Sequence, residues 1–228
     1  MSARVSIIIP TLNAADALPE TLDSLLPGVA QGILREVIVS DGGSTDTTRQ
    51  IADDAGAVII EGAAGRGGQI ARGTSMAKAP WVLVLHADSH LPPDWVGAVA
   101  VHMNEHSGQA AVFRLTFRAK GILPAITAGW ANLRTRIFHL PYGDQGLLIS
   151  RAVLDQIGGY PDQPLMEDVA VARALKGRLR LLDETITTSA ERYQRRGWTR
   201  QGARNILTLA RYLCGASPDR LARIYHKR

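Results

Sequence analysis

The chain of 228 residues contains a single cysteine, Cys214. An internal disulfide and a cysteine-based metal cluster are thereby excluded, and the composition suits a reducing compartment. Nowhere does an apolar run approach the roughly 18 residues that a membrane-spanning helix needs. The opening MSARVSIIIPTLN carries only a short apolar run before Pro10, too little for the core of a signal peptide. These absences predict a soluble or peripheral cytoplasmic protein. Aromatic residues are scarce at 5%, and acids are almost missing from one end. Residues 192–228 hold ten Lys or Arg and one acid, Asp219, whereas the rest of the chain carries a net charge of −4. A basic end of this kind suits phosphate-bearing ligands, an anionic membrane or nucleic acid; a solvated helix face has the same composition. Nucleic acid fits worst, because Tyr193, Trp198, Tyr212 and Tyr225 are too sparse to stack bases along the basic stretch.

What is present is a strand–helix alternation in a chain that is 46% hydrophobic, enough for one sizeable core. VSIIIP, residues 5–10, reads as a strand, followed by a helical pattern over 15–26. REVIVSDGGSTDTTRQIADDAG gives a strand over 36–40, a Gly-rich turn, and a helix that starts at residue 44 or 45 and stops before Gly56. AVIIEG is a third strand and RGGQIARGTSMAKA begins a third helix. In APWVLVLHADSHLPPDW, residues 81–85 form a short buried strand, and Pro92 and Pro93 start the next helix. Farther on, AAVFRLTFRA alternates like a half-buried strand and GILPAITAGWANLRTRIFHLP is helical. QGLLISRAVLDQIGGY is a strand running into a helix. The pattern predicts an α/β fold, a mostly parallel Rossmann-like sheet with helices on both faces and a basic helical tail. Ligands of such sheets bind outside the carboxyl ends of the strands, where Pro10, Thr11, Asn13, Asp41 and residues 86–90 fall.

Asp41 ends a strand beside Gly42 and Gly43, which let the backbone approach a ligand closely. A carboxylate there can accept from a nucleobase imide or a ribose hydroxyl; it can equally cap the turn, the better reading for Asp46. GAAGRGGQIARG lacks the Gly-Lys-Ser/Thr ending of a P-loop and does not continue as G-x-G-x-x-G. Arg66 and Arg72 can still reach a base or diphosphate, or remain surface arginines. His86 and Asp88, two residues apart at a strand end, leave the same face of the sheet. With open positions they suit Mg2+ or Mn2+ held jointly with a diphosphate, while a packed His86 is the alternative. His90 reads as a turn residue. QPLMEDVAVARALKG places Glu167 and Asp168 in the first turn of a helix, on different faces. One can act as a general base toward an acceptor hydroxyl; both are also what a helix N-terminus favours.

Taken in order, VSIIIPTLN, VIVSDGGSTDTT, LHADSHLPPDW and YGDQGLLISRAVLDQIGGYPDQPLMEDVAVARAL resemble the family 2 glycosyltransferases of the GT-A fold. The resemblance implies an inverting, metal-dependent transfer of a sugar from a nucleoside diphosphate, UDP above all, to a hydroxyl acceptor. It implies that Pro10, Thr11, Asn13 and Asp41 hold the nucleoside with help from Arg66, that Asp88 is the metal ligand of the D-x-D motif, and that Asp168 is the base. His86 stands where that motif has its first aspartate and would meet ribose or ligate Mn2+. Asp144, Gln145 and Glu167 fall on the acceptor side. QRRGW at 194–198 occupies the place of the Q-x-x-R-W of processive members, but with Gly197 at the arginine position, so the expected enzyme is non-processive. Arg192 and Arg195, with Arg196, are expected over the diphosphate.

The resulting division is one domain, 1–228, with a nucleotide-binding half (1–106), an acceptor-side half (107–190) and the basic tail (191–228). The tail also suits the inner face of an anionic membrane, where a lipid-linked acceptor would be met; a small-molecule acceptor is the other possibility. A nucleotidyltransferase is disfavoured because PTLNAAD, not a Gly- and Arg-rich loop, follows the first strand. A catalytically inactive nucleotide-sugar-binding protein of the same fold is the remaining alternative.

Overall fold

The computed structural model describes residues 3–226. In chain order the elements are β1 (Val5–Thr11), α1 (Leu18–Asp23), α2 (Leu26–Ala30), β2 (Leu34–Asp41), α3 (Thr48–Asp54), β3 (Val58–Glu61) and α4 (Arg66–Met76). Next come β4 (Trp81–Val84), β5 (Ser89–His90), α5 (Trp95–Glu105), β6 (Ala110–Phe117), α6 (Ile122–Phe138), a 3-10 turn (Gly143–Gln145), β7 (Leu147–Ser150) and α7 (Arg151–Gln156). The remainder is α8 (Glu167–Ala174), β8 (Leu179–Thr188), α9 (Glu191–Arg196), α10 (Trp198–Leu213) and α11 (Pro218–His226).

The eight strands make one sheet in the order β3-β2-β1-β4-β7-β6-β8-β5. β3, β2, β1 and β4 run parallel, as does the β6–β8 pair; β7 is antiparallel to both β4 and β6, and β5 to β8. Alternate residues of each strand enter opposite cores, because successive side chains leave opposite faces. Ile7, Ile9, Leu83 and Phe113 pack with Trp95 and Val99 on one face. Ile8, Val82, Val112 and Ile149 pack with Ile70, Val171 and Leu175 on the other. Helices thus cover both faces of a mostly parallel sheet, as the alternation predicted.

Three local departures from the sequence reading have physical causes. The helix expected over 15–26 is only α1, which stops at Asp23, and a second short helix, α2, follows from Leu26, since Pro27 clashes with the carbonyl four residues back, at Asp23. The helix expected at Pro92 starts at Trp95, after the turn containing both prolines. β8 was not anticipated at all, because Arg180, Asp183 and Glu184 interrupt its apolar run. The tail is helical as expected and docks on the sheet: Tyr193 stacks on Trp198 at 4.8 Å between ring centroids, and both rings meet Phe117 edge-on.

Candidate active site

The parallel strands β1, β2 and β4 deliver Thr11, Asp41 and His86 to one edge of the sheet. Asp41 is fully buried and accepts four hydrogen bonds. Thr11 Oγ1 (2.9 Å) and Ser44 Oγ (2.5 Å) donate to Oδ2, and the N–H groups of Gly43 (2.9 Å) and Ser44 (2.8 Å) donate to Oδ1. Burial acts to raise this carboxyl, but the Ser44 hydroxyl and the other donors outweigh it and hold the group below its ordinary value. Asp41 therefore organises the Gly-rich turn in the manner of a capping aspartate, with both oxygens already engaged. Asn13, at φ 50°, joins the same loop by accepting from Thr45 N–H at 2.9 Å. Its own N–H donates to Ser44 Oγ at 2.8 Å. Asp46 caps α3 through Thr48, the role favoured for it from sequence. Pro10 is the residue before Thr11 in β1 and pairs in register with Ser40.

Gln69, which sequence reasoning did not single out, ties this edge together. Its buried Nε2 donates to the carbonyls of Thr11 (2.6 Å) and Ser40 (2.8 Å), the ends of two adjacent strands. Nothing in RGGQIARG marks it, since a glutamine on a helix is ordinarily a surface residue. Arg72 donates to Ala63 O at 3.0 Å and braces the loop before α4 rather than reaching the strand ends.

Arg66, at the start of α4, donates to the carboxylate of Glu167 at the start of α8, 101 residues away. Glu167 is buried, and its Oε2 has no hydrogen-bond partner among the described residues. Burial disfavours the Arg66 charge, but Glu167 and Asp168 more than compensate, so the guanidinium is held firmly protonated. Glycines at 67 and 68 make this junction possible: a Cβ at Gly67 would lie 2.5 Å from Gln163 O.

His86, Asp88 and Asp144 form a second cluster. His86 Nδ1 lies 2.6 Å from Asp144 Oδ1, and the three residues each offer a ligand atom within 4.8 Å of the others. Burial raises the Asp88 carboxyl, the Asp144 charge raises it further, and His86 and Arg192 oppose the shift. For Asp144 burial also acts upward, but His86, Arg66 and Arg192 prevail and hold it well below the usual carboxylate range. Asp144, placed on the acceptor side by the sequence reading, thus stands with the candidate metal ligands. An imidazole and two crowded carboxylates fit a divalent cation, and the imidazole favours Mn2+ over Mg2+, which prefers oxygen alone.

Asp168 lies across a glycine from this cluster. Gly143 N–H donates to Asp168 Oδ2 at 2.9 Å, and Val169 N–H donates to Oδ1 at 2.8 Å. A Cβ on Gly143 would sit 3.0 Å from His86 Nε2 and 3.6 Å from Asp168 Oδ2. A narrow cleft lined by Val84, His86, Tyr142, Tyr160 and Asp168 opens at this point. Gln145 is fully buried instead: it accepts from Thr135 (2.8 Å) and from Tyr142 N–H (3.0 Å), and donates to Phe113 O (3.0 Å). It fastens the 3-10 turn to α6 and β6 and does not face the cleft. In the tail, the charge of Arg192 reaches Asp88 and Asp144, whereas Arg195 pairs with Glu191 at 3.8 Å in the open and Arg196 contacts Gln201 at 3.5 Å. His90 is a strand residue of β5, against Arg118 and Glu20, rather than a turn residue.

Comparison with known proteins follows the same lines. Residues 6–150 match the sequence profile of glycosyl transferase family 2. A PGL/p-HBAD biosynthesis glycosyltransferase of Mycobacterium bovis (strain BCG / Pasteur 1173P2) is 38% identical over 166 residues, 68% of this chain and 62% of that protein. Glycosyltransferase AglJ of Haloferax volcanii is 37% identical over 86 residues, 37% of this chain and 27% of that protein. The matched region thus spans less than two thirds of the mycobacterial relative. Among solved structures, S. aureus TarS 1-349 in complex with UDP-GlcNAc superposes with a TM-score of 0.62 at 19% identity, covering 82% of this chain and 58% of that one. Glucosyl-3-phosphoglycerate synthase from Mycobacterium tuberculosis, in complex with Mn2+, UDP-glucose and phosphoglyceric acid, gives 0.54 at 20% identity, covering 82% and 70%. At those identities the likeness is one of fold, GT-A. With the profile matched across the strand ends and loops that carry Thr11, Asp41, His86 and Asp88, the chain belongs to glycosyl transferase family 2.

Proposed function

We propose that the protein is an inverting, non-processive glycosyltransferase that moves a sugar from a nucleoside diphosphate, UDP being the first choice, to an acceptor hydroxyl. The observation that carries this reading is the placement of Asp168 on one side of Gly143 and of the His86, Asp88 and Asp144 cluster on the other. The first group handles a proton and the second a diphosphate. The UDP-GlcNAc and UDP-glucose complexes of the two structural relatives support the choice of uridine as the nucleoside.

In this mechanism the nucleoside lies against Thr11 and the loop organised by Asp41 and Asn13. His86, Asp88 and Asp144 would hold a divalent ion, which would supply positive charge against the departing diphosphate. Arg66 and Arg192 add fixed positive charge on the same side. Asp168, its rotamer held by Gly143 and Val169 N–H groups, takes the proton from the acceptor hydroxyl. The acceptor oxygen bonds to the anomeric carbon from the face opposite the diphosphate, and the electron pair of the broken C–O bond leaves with the diphosphate. Gly197 in place of arginine supports transfer of a single sugar. The single cysteine and the basic tail support action in the cytoplasm, at the inner face of a membrane.

Asp168→Asn tests the assignment. Turnover on a UDP-sugar falls by at least ~10²-fold, the usual contribution of a positioned base. The stabilisation of the fold by UDP with Mn2+ stays as in wild type. Equal turnover of the two proteins would reject Asp168 as the base.

A further inference from the structure

Of the large apolar side chains exposed among the described residues, eleven of seventeen lie on α6, α10 and α11. On α6, Ile122, Ile126, Trp130, Leu133 and Ile137 fall within an arc of about 80°, given 3.6 residues per turn. Ile122 is 77% exposed and Ile126 62%, so this face has no partner among the described residues. α10 packs beside α6 and exposes Ile206, Leu207 and Leu213 in the same way, with Arg200 and Arg211 exposed alongside. Soluble monomers rarely leave so large a set of apolar side chains open, and such a set marks a docking surface.

Charge decides what docks. No acid occurs between Arg118 and Asp144, and the exposed bases on or beside these helices are Lys120, Arg136, Arg200, Arg211, Arg220 and Arg223. A second copy of the chain would set these cations against themselves. Exposed apolar residues on adjacent helices with arginines beside them are instead the composition of a surface that rests in the interface of an anionic bilayer. No helix among the described residues is long and apolar enough to cross a membrane, so the contact is with its surface.

We infer that α6 and α10 dock this protein on an anionic lipid surface. The inner side of α6 grips the site: Arg134 lies 3.7 Å over the Tyr142 ring, and Thr135 donates to Gln145 at 2.8 Å, on either side of Asp144. The docked face and the cleft beside Asp168 are thus two sides of one helix and its loop. On the transferase reading, the acceptor hydroxyl then belongs to a lipid-linked molecule met at that surface.

The test is co-sedimentation of the whole chain with vesicles of phosphatidylcholine alone and of phosphatidylcholine with one-third phosphatidylglycerol. Ile126→Ser/Ile137→Ser and Arg200→Gln/Arg211→Gln are compared with wild type, each first shown to keep its melting temperature. Wild type pellets with the anionic vesicles and is released by high salt. Both double variants bind at least about ten-fold more weakly, the first by loss of apolar burial and the second by loss of charge. Wild type that fails to pellet, or variants that pellet equally well, would overturn the docking. So would a wild-type dimer that the isoleucine changes convert to monomer without any vesicle binding. Thermal stabilisation by UDP is measured on the same samples. If it persists when docking fails, the transferase reading stands alone; if it is missing when docking succeeds, the transferase reading and the acceptor assignment that rests on it fall while the docking stands.

Discussion

His86 Nδ1 lies 2.6 Å from Asp144 Oδ1, joining the end of β4 to the turn that leads into β7. The contact exists because Val84 of β4 pairs with Leu147 of β7 in antiparallel register, so both chain segments emerge at the same edge. On the transferase reading, Asp144 would supply the second carboxylate that a D-x-D pair has and the segment HAD lacks. With UDP and Mn2+ at a hundred times their dissociation constant, the melting temperature of wild type rises by roughly 5–10 °C. Asp144→Asn keeps less than half of that rise, and UDP without the ion gives the same small shift in both proteins. An unchanged shift in the variant, read by thermal melting, would place the ion elsewhere.

Asp41 contributes to stability through four donors to a buried carboxylate. Asp41→Asn turns an amide N–H₂ toward groups that also donate, and costs about 1–3 kcal/mol at neutral pH. Because the folded-state pKa lies below the ordinary 3.8, the stabilisation is complete above that value and disappears as pH falls through the folded pKa. Urea unfolding should therefore separate wild type from the variant at pH 7 and bring them together as pH falls through the folded-state pKa. A gap that widened toward acid pH would contradict the sign.

The Arg66–Glu167 pair joins the first turns of α4 and α8, with Glu167 1% exposed. Arg66→Ala leaves that carboxylate buried and unpaired, at a cost of about 2–4 kcal/mol once the partial exposure of Arg66 is discounted. Adding Glu167→Gln to Arg66→Ala should restore at least half of the loss. A double-mutant cycle by chemical denaturation measures both, and additive losses would show that the two residues act independently.

Gly73 of α4 faces Ile8 of β1 so closely that an added Cβ would stand 2.4 Å from Ile8 Cγ2. Both residues are buried, and the helix cannot back away without leaving Ile70 unpacked. Gly73→Ala is expected to destabilise by about 1–3 kcal/mol, the cost of overpacking, in spite of the better helix propensity of alanine. A melting temperature equal to or above that of wild type would show that α4 is free to shift.

Strands β1, β2 and β4 were legible because a parallel strand buried on both faces has to be an apolar run, and VSIII, VIV and WVLVL are such runs. β8 was not legible. Arg180, Asp183 and Glu184 resemble loop residues, and only pairing with β6 on one side and β5 on the other makes the segment a strand. The break between α1 and α2 was encoded by Pro27 and missed, since the apolar spacing continued across it. The Asp41 turn was recognisable from residue type and its place at a strand end, and Glu167 and Asp168 as a pair from their place at a helix start; only the resemblance singled out Asp168. Gln69 carried no signal of its own: its role comes from two carbonyls supplied by different strands.

By itself the sequence determined the parallel half of the sheet, the helical basic tail and the set of chemically able side chains, since each depends on local pattern or residue type. Tertiary structure alone decided their grouping. It took Asp144 from the acceptor side to His86, took Arg66 to Glu167, and turned Gln145 inward. It also left the apolar face of α6 without a partner. These outcomes depend on strand register and helix packing between residues as many as 101 positions apart, and no local spacing encodes such distances.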